Sequence, residues 1–165
     1  MSDTHDNLKN LDKAIKVFKE MNVELVIHCG DYIAPFSAKK LVDSGLKVIG
    51  IFGNNDSEKA LIYTIAKEKG ADISSDVREL TLRGRKILVM HGLGSKENTI
   101  NIVNAIAKSG DYDIVIYGHT HEARAEKINK CLVVNPGEVF GHLTGKASVA
   151  VIDLDKLEAK LIELR

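Results

Sequence analysis

Five short segments of the sequence end in side chains that bind metal ions. They share aspartate, histidine and asparagine donors, and they are Ser2-Asp3-Thr4-His5, Gly30-Asp31, Gly53-Asn54-Asn55-Asp56, Met90-His91-Gly92 and Gly118-His119-Thr120-His121. Mixed imidazole, carboxylate and amide ligands suit Mn²⁺, Ni²⁺, Fe, Co²⁺ or Zn²⁺ better than Ca²⁺. The segments contain no thiolate, which argues against a structural zinc site. The expected chemistry is therefore that of bound divalent cations.

The elements that must position these segments are strands followed by loops. Most of the segments follow an apolar run that reads as a strand, and these runs are Val23–Cys29, Lys47–Phe52, Lys86–Met90 and Ile114–Tyr117. Parallel strands of an α/β sheet gather their carboxyl ends along one edge, where ligands bind. We therefore expect side chains from most of the chain to meet at one place.

Helical periodicity and turn residues divide the rest of the chain. Helices are predicted at Leu8–Met21, from Pro35 to Gly45, from Ser57 to Lys69 and at Glu97–Ser109. Further strands are predicted at Val77–Leu82, Arg124–Ile128, Leu132–Val134, Ala147–Asp153 and Leu157–Leu164. Asp6 or Asn7 is expected to cap the first helix.

This order of elements predicts one α/β domain over residues 1–165. The βαβ opening requires right-handed crossovers and a parallel sheet, and the later hairpins require a second sheet. The expected architecture is a four-layer α/β/β/α sandwich of two mixed sheets flanked by helices. Only Met1 and Ser2 precede Asp3, so the first strand is predicted to be truncated.

Composition excludes some classes of partner. The chain has 23 Lys plus Arg and 23 Asp plus Glu, and this formal net charge of zero gives no general attraction to nucleic acid or acidic membranes. No signal peptide or long apolar run is present, so we expect a cytoplasmic protein without a membrane partner. Cys29 and Cys131 read as buried thiols. An edge strand among the C-terminal hairpins would allow a homo-oligomer.

The spacing of the donors predicts a site for two metal ions. Asp3 and His5, like His119 and His121, are two residues apart, and such side chains point the same way in extended chain. Asp31 offers two carboxylate oxygens and could bridge two ions. Two divalent ions with Asp3 and Asp31 leave a charge of about +2, which favours an anionic phosphate ester as substrate.

The five segments, in this order, resemble those of the calcineurin-like metallophosphoesterase superfamily. Ser2–Asn7, Val26–Asp31, Tyr117–His121 and Asn135-Pro136-Gly137 are similar to the small phosphodiesterases of the YfcE/MJ0936 type. The resemblance implies hydrolysis of a small phosphodiester by a hydroxide between two metals, commonly Mn²⁺ or Ni²⁺. It implies the following ligands: Asp3, His5 and His121 for the first metal, Asp31 as the bridge, and Asn54, His91 and His119 for the second. His5, Asn54 and His91 are expected also to stabilise the transition state.

One position departs from the resemblance. Many superfamily members carry a histidine after the motif asparagine, where it protonates the leaving group, and this chain has Asn55 there. An amide cannot act as an acid, so activated diesters should react better than alkyl monoesters. Asp56 is expected to brace its loop or orient a histidine. His28 reads as a core or supporting residue, and His142 reads as a loop histidine, with a place in the substrate cleft as the alternative.

Two other functions stay open. A phosphomonoesterase would use the same metal site. A protein scaffold like the retromer small subunit would share the fold with a degraded site, and it predicts missing ligands. All seven ligand positions are filled in this sequence.

Overall fold

Helices and strands alternate through the first half of the chain, as the sequence predicts. The computed structural model describes residues 1–165. The helices are α1 (Leu8–Glu20), α2 (Pro35–Val42), α3 (Lys59–Glu68) and α4 (Lys96–Ser109). The strands are β1 (Val26–His28), β2 (Val48–Gly50), β3 (Asp72–Ile73), β4 (Val77–Leu82), β5 (Arg85–Met90), β6 (Ile114–Tyr117), β7 (Arg124–Ile128), β8 (Cys131–Asn135), β9 (Ser148–Asp153) and β10 (Glu158–Glu163).

The strands form one continuous sheet of five strands and two smaller sheets, and we call the two smaller sheets together the divided sheet. The continuous sheet has the order β4-β5-β6-β8-β7, with parallel pairing in its centre and antiparallel strands at both edges. The other strands form a parallel sheet, β1-β2-β3, and an antiparallel pair, β9-β10. The expected α/β fold is confirmed, although three rather than two hydrogen-bonded sheets are present.

Three apolar clusters separate the four layers. Leu11 of α1, Leu41 of α2 and Ile62 of α3 pack in one cluster with residues of β1, β2 and β3. Ile87 and Val89 of β5 lie in a second cluster, together with residues of the continuous sheet and of β1 and β9. The other face of β5 packs against α4 in a third cluster. A strand buried on both faces reads as a continuous apolar run, which is the pattern of β5.

The N-terminal residues take the place of a strand next to β1. The Met1 amino group donates to the Ile27 carbonyl at 2.9 Å, and the Cys29 amide donates to the Met1 carbonyl at 3.0 Å. On the other side, the Phe140 amide donates to the Asp3 carbonyl at 2.9 Å. Asp3 is therefore held by backbone hydrogen bonds on both sides, although little chain precedes it.

Helix caps come partly from other segments. Asn7 caps α1, because its side chain accepts from the Asn10 amide at 3.1 Å. Asp6 instead serves α2, where its carboxylate accepts from the Ala34 and Ser37 amides. Asp6 thereby ties the loop after Asp3 to the start of α2.

Some boundaries differ from the sequence prediction. β1 is shorter than Val23–Cys29, because only residues from Val26 onward pair with β2. β3 was not predicted, since two residues are too short to show a pattern. Both cysteines are buried and free, as expected, and burial raises the pKa of Cys29 to about 12. No helix is long and apolar enough to span a bilayer.

Candidate metal centre

Three predicted ligands form a first group at the sheet edge. The Asp3 Oδ1 atom lies 3.9 Å from His5 Nε2 and 3.5 Å from His121 Nε2. One donor atom from each of the three residues lies within 4.8 Å of the others. One cation could therefore contact all three side chains.

A second group forms around Asn54. Its Oδ1 atom lies 3.0 Å from His91 Nε2 and 2.9 Å from His119 Nδ1. The amide oxygen and the two imidazole nitrogens converge on one point, as ligands of a single cation do.

Asp31 lies between the two groups. Its Oδ2 atom is 3.4 Å from His5 Nε2 in the first group and 3.4 Å from His91 Nε2 in the second. The structure thus brings all seven predicted ligands together. Donor atoms of Asp3, Asp31 and His91 also lie within 4.8 Å of one another, so the two groups adjoin. Their role as metal ligands stays a prediction.

Two buried polar atoms at this site have no hydrogen-bond partner. They are Asp3 Oδ1 and His5 Nε2. A buried polar atom without a partner costs roughly 1–3 kcal/mol, so such atoms are rare unless a ligand satisfies them. Both atoms belong to the first group, and a cation at that position would satisfy both. The residues present therefore fit a metal centre.

Three of the imidazoles are oriented by a hydrogen bond at the ring nitrogen that faces away from the other candidate ligands. His91 Nδ1 lies 2.7 Å from the Cys29 carbonyl, and His119 Nε2 lies 2.8 Å from the Gly94 carbonyl. His121 Nδ1 lies 2.9 Å from Glu138 Oε2. When one ring nitrogen donates to an oxygen, the other is left as a lone-pair donor for a metal.

Glu138 is a functional residue that sequence reasoning missed. Its side chain is fully buried. Besides contacting His121, it accepts hydrogen bonds from the amide and hydroxyl of Thr144 at 2.6 and 2.8 Å. The available signal was an acidic residue directly after Asn135-Pro136-Gly137 in a stretch that is otherwise apolar. Glu138 links a candidate ligand to the loop of residues 139–144.

Asp56 braces two ligand loops, as expected. Its Oδ2 atom accepts from the Asp31 amide at 3.0 Å and from the Gly53 amide at 2.7 Å. Its Oδ1 atom accepts from the Ile33 amide at 2.8 Å. Burial raises the pKa of Asp56, although these amide bonds oppose the shift. One carboxylate therefore fixes the spacing of the loops that carry Asp31 and Asn54.

The loops that carry Asp31 and Asn54 contact each other at two glycine residues. Gly30 has a φ of +92°, and a Cβ there would lie 2.6 Å from the Gly53 nitrogen. A Cβ on Gly53 would overlap the Asp31 carboxylate. Only glycine allows this close approach, which explains why glycine precedes both Asp31 and Asn54.

Most candidate ligands have left-handed backbone conformations. The φ values are +52° for Asp3, +43° for His5, +61° for Asp31, +67° for His119 and +64° for His121. The extended conformation assumed for the Asp-x-His and His-x-His pairs is therefore wrong, although each pair still converges. Positive φ is uncommon outside glycine and clusters at functional sites, where surrounding contacts enforce it.

The charges of the site favour cations. Burial lowers the pKa of His5, but its contacts with Asp3 and Asp31 outweigh burial and raise that pKa to about 9. Burial opposes ionisation of Asp31, yet His5 and His91 hold its pKa well below the usual range. Without metal, a proton on His5 would supply positive charge beside the two carboxylates.

The other polar residues have supporting positions. The Asn55 amide and Nδ2 bind the two Asp31 oxygens at 2.9 and 2.7 Å, so this side chain holds the carboxylate. His28 is buried, contacts Thr4 Oγ1 at 2.6 Å and stacks on Tyr32, as expected for a core residue. His142 is exposed, and the centroid of its ring lies 4.8 Å from that of Phe140.

Comparisons with known proteins identify the family of the chain. The profile of the calcineurin-like phosphoesterase superfamily domain matches residues 1–157. Phosphodiesterase MJ0936 of Methanocaldococcus jannaschii is 39% identical, over 99% of this chain and 96% of that protein. Phosphodiesterase YfcE of Escherichia coli is 26% identical over 94% and 86%.

Solved structures show the same fold. A novel archaeal phosphodiesterase, 39% identical, superposes with a TM-score of 0.86 over 99% of this chain and 97% of its own. Vps29 of Chaetomium thermophilum, 15% identical, superposes with a TM-score of 0.69 over 99% and 92%. At that identity the second likeness concerns the fold alone.

We predict that Asp56→Ala destabilises the protein and weakens metal binding. Three backbone amides, two of them buried, lose their acceptor, so the free energy of unfolding should fall by about 2 kcal/mol or more. Urea unfolding and Mn²⁺ titration calorimetry measure the two effects. Asp12→Ala, at an exposed aspartate on α1, is the control and should change neither. Unchanged affinity in Asp56→Ala would show that the loops keep their spacing without this brace.

We predict that Glu138→Gln lowers the affinity for Mn²⁺ by about 10–100-fold while the protein stays folded. The neutral amide no longer polarises His121, and such outer-shell changes have effects of this size. Titration calorimetry measures the affinity and circular dichroism the fold. The control is Glu163→Gln, which changes an exposed glutamate of β10. Equal affinity in both variants would contradict a role for Glu138 in orienting His121.

Proposed function

The chain belongs to the calcineurin-like phosphoesterase superfamily, and we propose that it is a phosphodiesterase with two divalent cations in its metal centre. The observation that carries this proposal is the position of Asp31 Oδ2, at 3.4 Å from a ligand of each group. A single carboxylate between two complete ligand sets is the arrangement that a binuclear site requires.

The chain's residues have distinct tasks in this proposal. Asp3, His5 and His121 would hold one cation, Asn54, His91 and His119 the other, and Asp31 both. Bound cations, most plausibly Mn²⁺ or Ni²⁺ with Fe, Co²⁺ or Zn²⁺ as alternatives, would activate water and neutralise charge on the phosphoryl oxygens. His5, Asn54 and His91 would also contact the phosphoryl group as its charge develops.

Burial indicates the side from which substrate approaches. Asp3 and Asp31 are buried, whereas Asn54 and Asn55 are exposed and His5 and His119 are partly exposed. A phosphate ester would therefore reach the site past the Asn54 loop.

The leaving group should depart without a proton from Asn55. The amide of Asn55 is already bound to Asp31, and an amide has no acidic proton to give at neutral pH. Esters with good leaving groups should consequently be the best substrates, and alkyl monoesters should be poor ones.

Two rival functions make different predictions. A phosphomonoesterase would use the same residues but prefer monoesters. A protein scaffold is suggested by the shared fold of Vps29, but fold alone does not decide function. The complete ligand set favours catalysis over the scaffold. The cytoplasmic location and a homo-oligomer stay predictions.

We predict that the Mn²⁺-loaded protein hydrolyses bis-p-nitrophenyl phosphate at least about tenfold more efficiently than p-nitrophenyl phosphate. Both esters release p-nitrophenolate, which needs no proton, so the comparison depends on the phosphoryl group itself, and the likeness to phosphodiesterase MJ0936 favours the diester. The measurement is kcat/KM for both esters at one pH and one metal concentration. A preference for the monoester would identify the phosphomonoesterase instead, and no turnover of either would favour the scaffold.

We predict that Asp31→Asn abolishes metal-dependent turnover and lowers the number of tightly bound metal ions. The amide oxygen carries no negative charge, so it should bridge two cations far more weakly than the carboxylate oxygen Oδ2. Equilibrium dialysis with metal analysis, or anomalous scattering from Mn²⁺-soaked crystals, counts the ions. Asp12→Asn serves as the surface control. Two ions bound to Asp31→Asn with wild-type affinity would refute the bridging role.

A further inference from the structure

A row of aromatic rings leads from the metal centre to the surface. The ring centroids of His121 and His5 are 5.2 Å apart, and those of His5 and Phe140 are 5.1 Å apart. The ring of His142 follows at 4.8 Å from that of Phe140. We call these four residues the aromatic row. His121 is buried, His5 and Phe140 are partly exposed and His142 is exposed, so the row connects the first group of ligands with solvent.

Phe140 contributes neither to the apolar core nor to the ligand set. It belongs to none of the three apolar clusters, although the preceding residue, Val139, is fully buried in the first of them. A phenyl ring also offers no lone pair to a cation. A partly exposed aromatic ring beside polar side chains is instead typical of the wall of a small-molecule site.

The backbone of Phe140 is fixed on both sides. Its amide donates to the Asp3 carbonyl at 2.9 Å. Its carbonyl accepts from the side-chain amides of Asn7 and Asn10 at 2.8 and 3.2 Å. The ring is therefore attached to the loop of a candidate ligand and to the start of α1. A surface that is already ordered loses little entropy when a ligand binds to it.

The rest of the loop is also held in place. The buried carboxylate of Glu138 accepts from the amide and hydroxyl of Thr144, which closes the loop at its far end. Gly141 has a φ of +74°, and a Cβ there would lie 2.8 Å from the Cβ of Ala147. This close approach requires glycine, so Phe140 and His142 stand on either side of a tightly packed turn.

We propose, on the basis of the phosphodiesterase function inferred above, that the aromatic row binds a planar aromatic group of the substrate. This group is the one that stays on phosphorus during hydrolysis. A ring placed against Phe140 and His142 would gain the offset or edge-to-face contact that aromatic pairs favour, and it would bury apolar surface. The substrate class would be phosphodiesters with an aryl or heteroaryl group rather than dialkyl esters.

The position of Phe140 favours the retained group over the leaving group. In an in-line displacement the leaving group departs opposite the attacking oxygen, which in this site means away from the ligands. Phe140 lies beside the ligands, because its amide is bonded to the Asp3 carbonyl. A substituent that stays on phosphorus extends to the side and can reach this ring, whereas the leaving group faces solvent.

The experiment uses two diesters with the same leaving group, phenyl p-nitrophenyl phosphate and methyl p-nitrophenyl phosphate. The ratio of their kcat/KM values is measured for the Mn²⁺-loaded wild type and for Phe140→Leu, His142→Ala and Tyr63→Leu. Tyr63 is an exposed aromatic residue of α3 and supplies the control. Intrinsic reactivity of the two esters is the same for every protein, so a change of the ratio reports the aromatic row alone.

Phe140→Leu should lower the phenyl-to-methyl ratio by about tenfold, which is the size of a single stacking contact. His142→Ala should lower it by about threefold, because the edge-to-face contact is weaker. Tyr63→Leu should leave it unchanged. An unchanged ratio in Phe140→Leu would overturn the proposal. Equal losses on both esters together with weaker Mn²⁺ binding would also overturn it, since the ring would then only support His5. If Phe140→Leu does not fold, the ratio for His142→Ala decides.

Binding of two phosphonates separates this proposal from the proposed function. Phenylphosphonate and methylphosphonate have a P–C bond that a phosphodiesterase does not cleave, and titration calorimetry on the Mn²⁺-loaded protein gives both affinities. The wild type should bind phenylphosphonate about tenfold more tightly, and Phe140→Leu should lose this preference. If no ester is hydrolysed but this preference is found, the phosphodiesterase function fails and the aromatic subsite stands. Equal affinities for the two phosphonates would overturn the subsite.

Discussion

The position of one buried carboxylate, that of Asp31, is the constraint on which the rest of the site depends. Asn55 holds both of its oxygens, and Asp56 holds its backbone amide. Because Gly30 and Gly53 have no Cβ atom, the loop that carries Asn54 can contact the loop that carries Asp31. Because Asp31 contacts a histidine of each ligand group, any shift of this loop would disturb both groups together.

Backbone strain at the ligands is compensated by hydrogen bonds between loops. Asp3 and His119 both have positive φ, and the His119 amide donates to Asp3 Oδ2 at 3.1 Å. Asn135 similarly donates from its side chain to the Gly118 carbonyl and to Thr120 Oγ1. These ligand loops are held by residues of other segments rather than by their own strands, so the strained conformations persist only in the assembled fold.

The fold and the meeting of the five donor segments could be predicted from local patterns, whereas the choice of the seven ligands came from the resemblance to the superfamily. Apolar runs mark strands, and donors follow the runs. The sequence did not reveal Glu138, whose contact with His121 joins residues from different loops. Nor did it reveal the left-handed backbone of Asp3 and His5, because conformation at those residues is set by packing between loops rather than by residue type.

Asp3 connects the metal centre to the divided sheet. Its amide donates to the Gly30 carbonyl, and its carbonyl accepts from Phe140, so it joins chain segments that are far apart in sequence. Contacts of such separation form late and are the first to open when a region is weakly packed. Ser2, directly before Asp3, is buried, and its carbonyl accepts from the Val139 amide at 3.1 Å. The rigidity of the first ligand group therefore depends on contacts between segments that are distant in sequence.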